Sequence, residues 1–446
     1  MKISDENLVF SRIWRRVQAN PADVAIYDDN KRWTWQELLQ RSFDYASALL
    51  SCPPPIIPVF VARTGEFVAA ALGCMLARKA FAPLSPQQPL ARIAKCLEKI
   101  GSPFAINVDS AFPRALTSIP VEWIPVPCME SAHPFLQQPA EAELERLLYV
   151  LFTSGSTGMP KGVMVNFDNV INTMEWSADF IDWRPEDIIG CAVSFGFDIS
   201  IFDMFTMLYR GIPLAIFSDP SDTQKVVDEI RRFKITSIFS VPVFFSQLLK
   251  SGKIPQLQDS SLRRIISGGD FFPAPHMLQW IEKAPRIQVY NVWGPTETSI
   301  VNTMHLVSRE DIPLLQNGQF VSIGSSHARM SFVLMDESLQ EVAEPGRKGE
   351  IWMLGRCVTQ GYLKDPEYTA QAYTTFRGSR AFRTQDIGRF DEKNRLYMVG
   401  RMGSLVKVAG YRIDLGEVEC AATRIPHIHL AGAFVHETDL DSQELW

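Results

Sequence analysis

The sequence predicts an α/β fold: a large N-terminal domain of parallel sheets covered by helices, carrying a small β-rich lobe near its end. Three observations predict it. Between Leu147 and Gly294 apolar runs recur at 188–193, 213–217, 235–241, 263–267 and 287–292. Amphipathic stretches such as Thr223–Phe233 and Met277–Lys283 separate them, and strands alternating with helices of this length imply a parallel sheet buried on both faces. After Asp336 the pattern changes to short apolar runs (330–335, 350–354, 396–399) separated by turns, the mark of a small β lobe spanning about 328–400.

Taken in order, residues 1–50 read as a helical opening in which Arg32–Leu38 (RWTWQEL) is a strand end entering a helix. Pro53–Pro55 form a loop before the apolar strand Ile56–Val61. A small-residue helix around Phe67–Leu76 leads to Phe81–Pro89 (FAPLSPQQP), read as scaffold, and Pro103–Ala142 is loop-rich without repeats. The run Leu147–Phe152 (LLYVLF) ends at Thr153–Gly162 (TSGSTGMPKG), and Val163–Val165 follows. This loop, Ser267–Asp270 (SGGD) and Gly294–Glu297 (GPTE) each follow an apolar run. In a parallel sheet ligands bind at the carboxyl ends of the strands, so the three loops are expected to share one rim.

A length of 446 residues allows two or three domains, and 46% hydrophobic with 21% charged residues provides a large core. The net charge of −6 offers no field for nucleic acid. The opening MKISDENLVFSRIW lacks a signal-peptide layout, and no apolar run reaches the roughly 18 residues of a membrane helix. Seven scattered cysteines without C-x-x-C spacing read as buried thiols in a reducing cytoplasm, and seven histidines form no metal-binding cluster.

The chemistry concentrates in TSGSTGMPKG. Backbone N–H groups of such a turn and the hydroxyls of Thr153, Ser154, Ser156 and Thr157 make a concave anion site, to which Lys161 adds charge. Gly155 and Gly158 let the backbone approach a ligand closely. The P-loop pattern does not fit, because Pro160 precedes the lysine and Gly162 follows it. The decapeptide resembles the phosphate loop of the adenylate-forming superfamily of acyl-CoA synthetases, luciferases and amino-acid adenylation domains. Tyr290–Thr298 (YNVWGPTET), Arg347–Leu363, Phe382–Asp386 (FRTQD) and Gly400–Glu419 resemble further motifs of that family, so the resemblance spans Trp33 to Glu419.

The resemblance implies ATP and Mg²⁺ as cofactors. Lys161, Thr157 and the other loop hydroxyls would hold the phosphates, and Glu297 the Mg²⁺ that relieves carboxylate–phosphate repulsion. Trp293 would flank the adenine, with Gly268, Gly269, Asp270, Asn291, Val292 and Thr296 completing the nucleotide pocket. Asp386 would hold both ribose hydroxyls and Arg401 would contact the ribose. Residues 1–402 would form the adenylation core and 403–446 a hinge and the opening of a small, mobile α+β domain that rotates between half-reactions. Gly403 stands at the hinge where relatives carry aspartate, Gln385 replaces a glycine, Ser85 an aspartate and Phe167 a histidine. The Gly-Lys motif that ends the family's C-terminal domain does not follow Glu419.

Asp198, in Ser194–Phe205 (SFGFDISIFDMF), matches the aspartate with which amino-acid adenylation domains grip the substrate's ammonium group. As a helix N-cap it would have a second use. The motifs place Ile199, Phe202, Ser240, Ile266, Gly268, Val292, Ile300 and Val301 around the substrate side chain, an almost wholly apolar set with little volume. A small amino acid is expected, glycine first, then alanine, valine or proline. The partner would be a phosphopantetheinylated carrier protein, as for the free-standing glycine-activating ligases of lipid A modification, with no nucleic acid and no membrane. An acyl-CoA ligase of the same superfamily and a nucleotide-binding pseudoenzyme are the alternatives.

Overall fold

The computed structural model describes residues 9–29, 31–108, 121–125, 146–153 and 159–402, with short stretches between 405 and 445. The five apolar runs from 188 to 292 become the strands Ile189–Cys191, Leu214–Ile216, Ser237–Ser240, Arg264–Ser267 and Gln288–Trp293 of a single sheet. All five are parallel, as is the added strand Val24–Tyr27 beside Leu214–Ile216. Thr303–Leu306 and Arg32–Thr34 close the two ends antiparallel, giving eight strands.

The strand Leu147–Thr153 does not belong to that sheet. It runs parallel to Ala80–Leu84 in a second, six-stranded sheet and forms an antiparallel hairpin with Lys161–Asn166. The regular alternation beginning at Leu147 therefore covers two sheets rather than one. A strand buried on both faces reads as the same apolar run whichever sheet receives it, because the partner is set by distant residues.

Two helices are buried on nearly every side and lie in the largest apolar cluster: Gly65–Leu76, rich in alanine, and Asp198–Arg210. A helix apolar all round belongs inside a protein, not on its surface. Surface helices such as Thr223–Phe233 instead alternate, burying Val226, Val227, Ile230 and Phe233. The expected strand-to-helix entry at Arg32–Leu38 is a strand Arg32–Thr34 and a helix Trp35–Leu49, joined by a Thr34–Glu37 capping box.

The β-rich lobe consists of antiparallel strands from Ser331–Met335 to Leu396–Arg401. Residues 360–363 leave it to bond the hairpin: Gln360 N donates to Met164 O (3.0 Å), Met164 N to Gly361 O (2.9 Å) and Leu363 N to Gly162 O (2.7 Å). Among the described residues no helix is long and apolar enough to cross a membrane, and Cys52, Cys74, Cys96, Cys191 and Cys357 are buried free thiols.

Candidate functional site

A cavity of about 1130 Å³ opens where the hairpin, the carboxyl ends of the eight-stranded sheet and the lobe meet. Thr153, Lys161, Gly269, Asp270, Asn291, Val292, Trp293, Thr296, Glu297, Asp386 and Arg401 all border it. Ser154, Gly155, Ser156, Thr157 and Gly158 lie outside the described residues, as does Gly403. Gly268 is just behind the wall: a Cβ there would stand 2.6 Å from Val292 Cγ2, so only glycine lets the loop and the neighbouring strand lie so close. Gly269 takes φ +85°, the left-handed turn that carries the chain to Asp270.

Thr153 and Lys161 are paired across the mouth of the hairpin, which places the lysine at the edge of the loop. Its ammonium lies 4.4 Å from the ring centre of Tyr368 and 5.3 Å from that of Tyr362, both from the lobe. Tyr362 also donates its hydroxyl to Glu297 Oε1 at 2.8 Å, and Thr359 N donates to the Glu297 carbonyl at 3.0 Å. Burial, then the Glu297 charge, raise the Tyr362 phenol well above its ordinary value, so it stays a donor. Sequence reasoning placed Tyr362 inside a motif without a role and missed Tyr368. Their signal, aromatics spaced six apart in a turn and short helix, is indistinguishable from core packing until the fold brings Lys161 over them.

At the opposite wall Trp293 Nε1 donates to Asp386 Oδ2 at 3.1 Å. Arg401 Nε stands 3.7 Å from Oδ1, carried there by the pairing of Asp386 with Arg401 across adjacent strands. Burial pushes the Asp386 carboxyl up to about 6, against the lowering by Arg401 and the indole N–H. Gln385 holds φ +62°, the left-handed backbone a glycine would adopt freely. Buried Glu350 supports the turn by accepting from Gln385 N at 3.1 Å, and Gln385 O accepts from Met402 N at 2.6 Å.

Asp198 connects this cavity to the substrate set. It is the first residue of the helix Asp198–Arg210, with Phe197 as the N-cap, so its carboxylate lies at the positive end of the helix, where the backbone amides of Ile199 and of Asp198 itself favour its charged form. The Thr296 hydroxyl donates to Asp198 Oδ2 at 2.5 Å, and Thr296 precedes Glu297 in one short turn. Desolvation raises the Asp198 carboxyl to about 6, with Thr296 opposing and Glu297 assisting. Among the described residues no basic side chain forms an ion pair with it. Ile199, Phe202, Ser240, Ile266, Val292, Ile300 and Val301 are all buried around the same helix and strand ends, and Phe202 meets the Phe239 ring edge-on at 5.4 Å. Of these, Val292 borders the cavity. Ser299 and Ile300 both hold positive φ, +65° and +75°, rare for a β-branched residue.

No cluster of three or more His, Cys, Asp or Glu able to hold a metal exists among the described residues. A hard cation bridged by one carboxylate and ligand phosphates needs no such cluster, and Glu297 with one oxygen occupied by Tyr362 suits that arrangement.

Comparison with known proteins accords with this architecture. Residues 13–363 match the family described as AMP-binding enzyme. The L-proline--[L-prolyl-carrier protein] ligase of Streptomyces coelicolor is 32% identical over 95% of this chain and 84% of its own length. Bacitracin synthase 3 of Bacillus licheniformis is 28% identical over 95% of the chain, which spans 6% of that much longer protein. Among solved structures, an NRPS protein containing adenylation and PCP domains superposes with a TM-score of 0.79 at 26% identity, covering 98% of this chain and 87% of that one. O-succinylbenzoate coenzyme A synthetase of Bacillus subtilis, at 23% identity over 97% and 87% of the two chains and a TM-score of 0.83, shares the fold. The chain belongs to the AMP-binding enzyme family.

Proposed function

We propose that the protein activates a small amino acid with ATP, forming aminoacyl-AMP and pyrophosphate, and passes the aminoacyl group to the phosphopantetheine thiol of a carrier protein. The observation that carries the amino-acid reading is Asp198: a desolvated carboxylate beside Thr296 and Glu297, without a basic partner among the described residues. A substrate ammonium group supplies the missing charge, whereas a fatty acyl chain leaves it uncompensated at a cost of several kcal/mol. The proline-loading relative and the adenylation–PCP protein support carrier loading.

In this reading the chain acts by positioning and charge, without a side-chain nucleophile. Trp293 flanks the adenine, Asp386 and Arg401 hold the ribose, and Lys161 faces the phosphates; Thr157 and the other loop hydroxyls are assigned to the phosphates by the motif alone. Glu297 would hold a magnesium ion, which would supply charge neutralisation to the phosphates when the amino-acid carboxylate attacks the α-phosphorus. Tyr362 fixes the Glu297 carboxylate and, with Tyr368, backs the Lys161 ammonium, so both charges are set by the lobe. Residues 1–402 act as the core and 403–446 as hinge and mobile domain.

The substrate side is narrow. Ile199, Phe202, Ile266, Ile300 and Val301 are packed rather than open, which favours glycine. Proline is the second reading, favoured by the carrier-protein ligase that shares 32% identity with this chain. Amino-acid-dependent ATP–pyrophosphate exchange, run with all twenty amino acids, acetate and a medium-chain fatty acid, tests both. A peak at glycine or proline supports the proposal and separates the two. A response to the fatty acid alone overturns it, and ATP binding without any exchange replaces it with a nucleotide-binding pseudoenzyme.

A further inference from the structure

The contact between Trp293 and Asp386 joins two residues that the proposed function assigns to different parts of the nucleotide. Trp293 ends the strand Gln288–Trp293 of the eight-stranded sheet, while Asp386 lies in the lobe strand Ser379–Phe390. The indole N–H donates to Asp386 Oδ2 at 3.1 Å, and on the other oxygen Arg401 stands at 3.7 Å. A carboxylate on a short two-torsion side chain rotates unless something holds it, and a hydrogen bond fixes the plane as well as the position. Gln385, strained at φ +62° and tied to Glu350, orients the backbone, and Thr384 Oγ1 accepts from Asp386 N at 3.0 Å. The terminal rotation of the carboxylate is the freedom left, and the indole removes it.

We infer that Trp293 is a positioning residue for sugar recognition: its N–H orients the Asp386 carboxylate, so discrimination between ribose and deoxyribose depends on the tryptophan as well as on the aspartate. With one acceptor lobe of Oδ2 committed to the indole, the remaining lobes converge on the cavity, where the 2′- and 3′-hydroxyls of one ribose take them. A tryptophan that only stacks on a base would leave sugar choice untouched.

The inference rests on the proposed function, and its test distinguishes the two. Dissociation constants of ATP, 2′-deoxy-ATP and 3′-deoxy-ATP are measured by calorimetry for the full chain, Trp293→Phe, Asp386→Asn and the double variant. The wild type is expected to prefer ATP over either deoxynucleotide by about tenfold, the range of a hydrogen bond to a charged group. In Trp293→Phe both preferences fall to about twofold or less, while lost ring area weakens all three nucleotides by a common factor. Asp386→Asn lowers the ratios similarly, and the double variant goes no lower. Unchanged ratios in Trp293→Phe, or effects of the two substitutions that multiply independently, overturn the inference. Should Trp293→Phe fail to fold, Trp293→Leu, which also lacks the indole N–H, takes its place: ratios that fall as in Asp386→Asn support the inference, and unchanged ratios overturn it. A wild type that binds ATP without any ribose preference, or does not bind it, overturns the assignment of Asp386 to the ribose instead.

Discussion

At Asp198 a single carboxylate carries the proposed choice of substrate. Because burial raises it to about 6, it is ionised at neutral pH but close to protonation in mild acid. An ammonium ligand needs the ionised form, so the KM for the amino acid should rise as pH falls below about 6 while the ATP dissociation constant changes less. Asp198→Ala should abolish amino-acid-dependent exchange and leave ATP binding within about threefold; exchange that survives would remove the case for an amino acid. The stability consequence has a defined sign. A folded pKa above the unfolded 3.8 means that the native state holds the proton more tightly, so its contribution favours folding below about pH 4 and is lost as pH rises through about 6. Asp198→Asn should therefore raise stability by roughly 1–3 kcal/mol at pH 7.5 and by little at pH 4 in chemical denaturation. Gln385 offers a second test. Its left-handed backbone costs roughly 1 kcal/mol, so Gln385→Gly should bind nucleotide normally, whereas β-branched Gln385→Val should lose stability and ATP affinity together.

At the scale of elements, part of the site was readable because two of its motifs, SGGD and GPTE, follow strands of one parallel sheet. Gly269 and Asp270 after Arg264–Ser267, and Trp293 to Glu297 at and after the end of Gln288–Trp293, reach the same cavity because parallel strands deliver their carboxyl ends to one edge. What could not be read was membership. Nothing in LLYVLF tells whether it pairs with Ala80–Leu84 or with the strands after 188, and it pairs with the former. Nor does a tyrosine in a turn reveal that a lysine two hundred residues earlier lies over it. The substitution of glycine by Gln385 was visible, but not that the glutamine keeps a glycine-like backbone. The close approach at Gly268 can be tested: Gly268→Ala puts a methyl 2.6 Å from Val292 Cγ2 and should cost about 1–3 kcal/mol while displacing the Val292 wall of the cavity, read as weaker ATP binding. Phe202→Ala removes a wholly buried ring and should cost about 3–5 kcal/mol, yet admit bulkier amino acids in exchange assays at low temperature. Loss of glycine use without gain of larger substrates would move the substrate pocket elsewhere.

Across the whole molecule the lobe is held by buried charge as well as by strands. Asp311, 1% exposed, accepts from His305 at 2.9 Å and from Ser308 N at 2.9 Å, and Arg395 of the lobe approaches at 3.9 Å. Burial works against its charge, but these partners outweigh it and hold the carboxyl below its usual range. That contribution is present at neutral pH and is lost as the carboxyl protonates in acid. The fold class was legible from periodicity, and the separation of the lobe from a change in that periodicity; this seam between them was not, because a lone His–Asp pair has no sequence pattern.

One small feature has a use for protein engineering. The amide of Met402 is tied at 2.6 Å to the carbonyl of Gln385, the same residue whose strained backbone precedes Asp386. The chain is thus moored to the lobe up to residue 402, and whatever lies beyond inherits a fixed point of departure. A graft that exchanges downstream segments between relatives should splice after Met402, leaving the mooring with the recipient. A junction a few residues earlier would cut the Leu396–Arg401 strand and transplant Arg401, the neighbour of Asp386, with the donor piece.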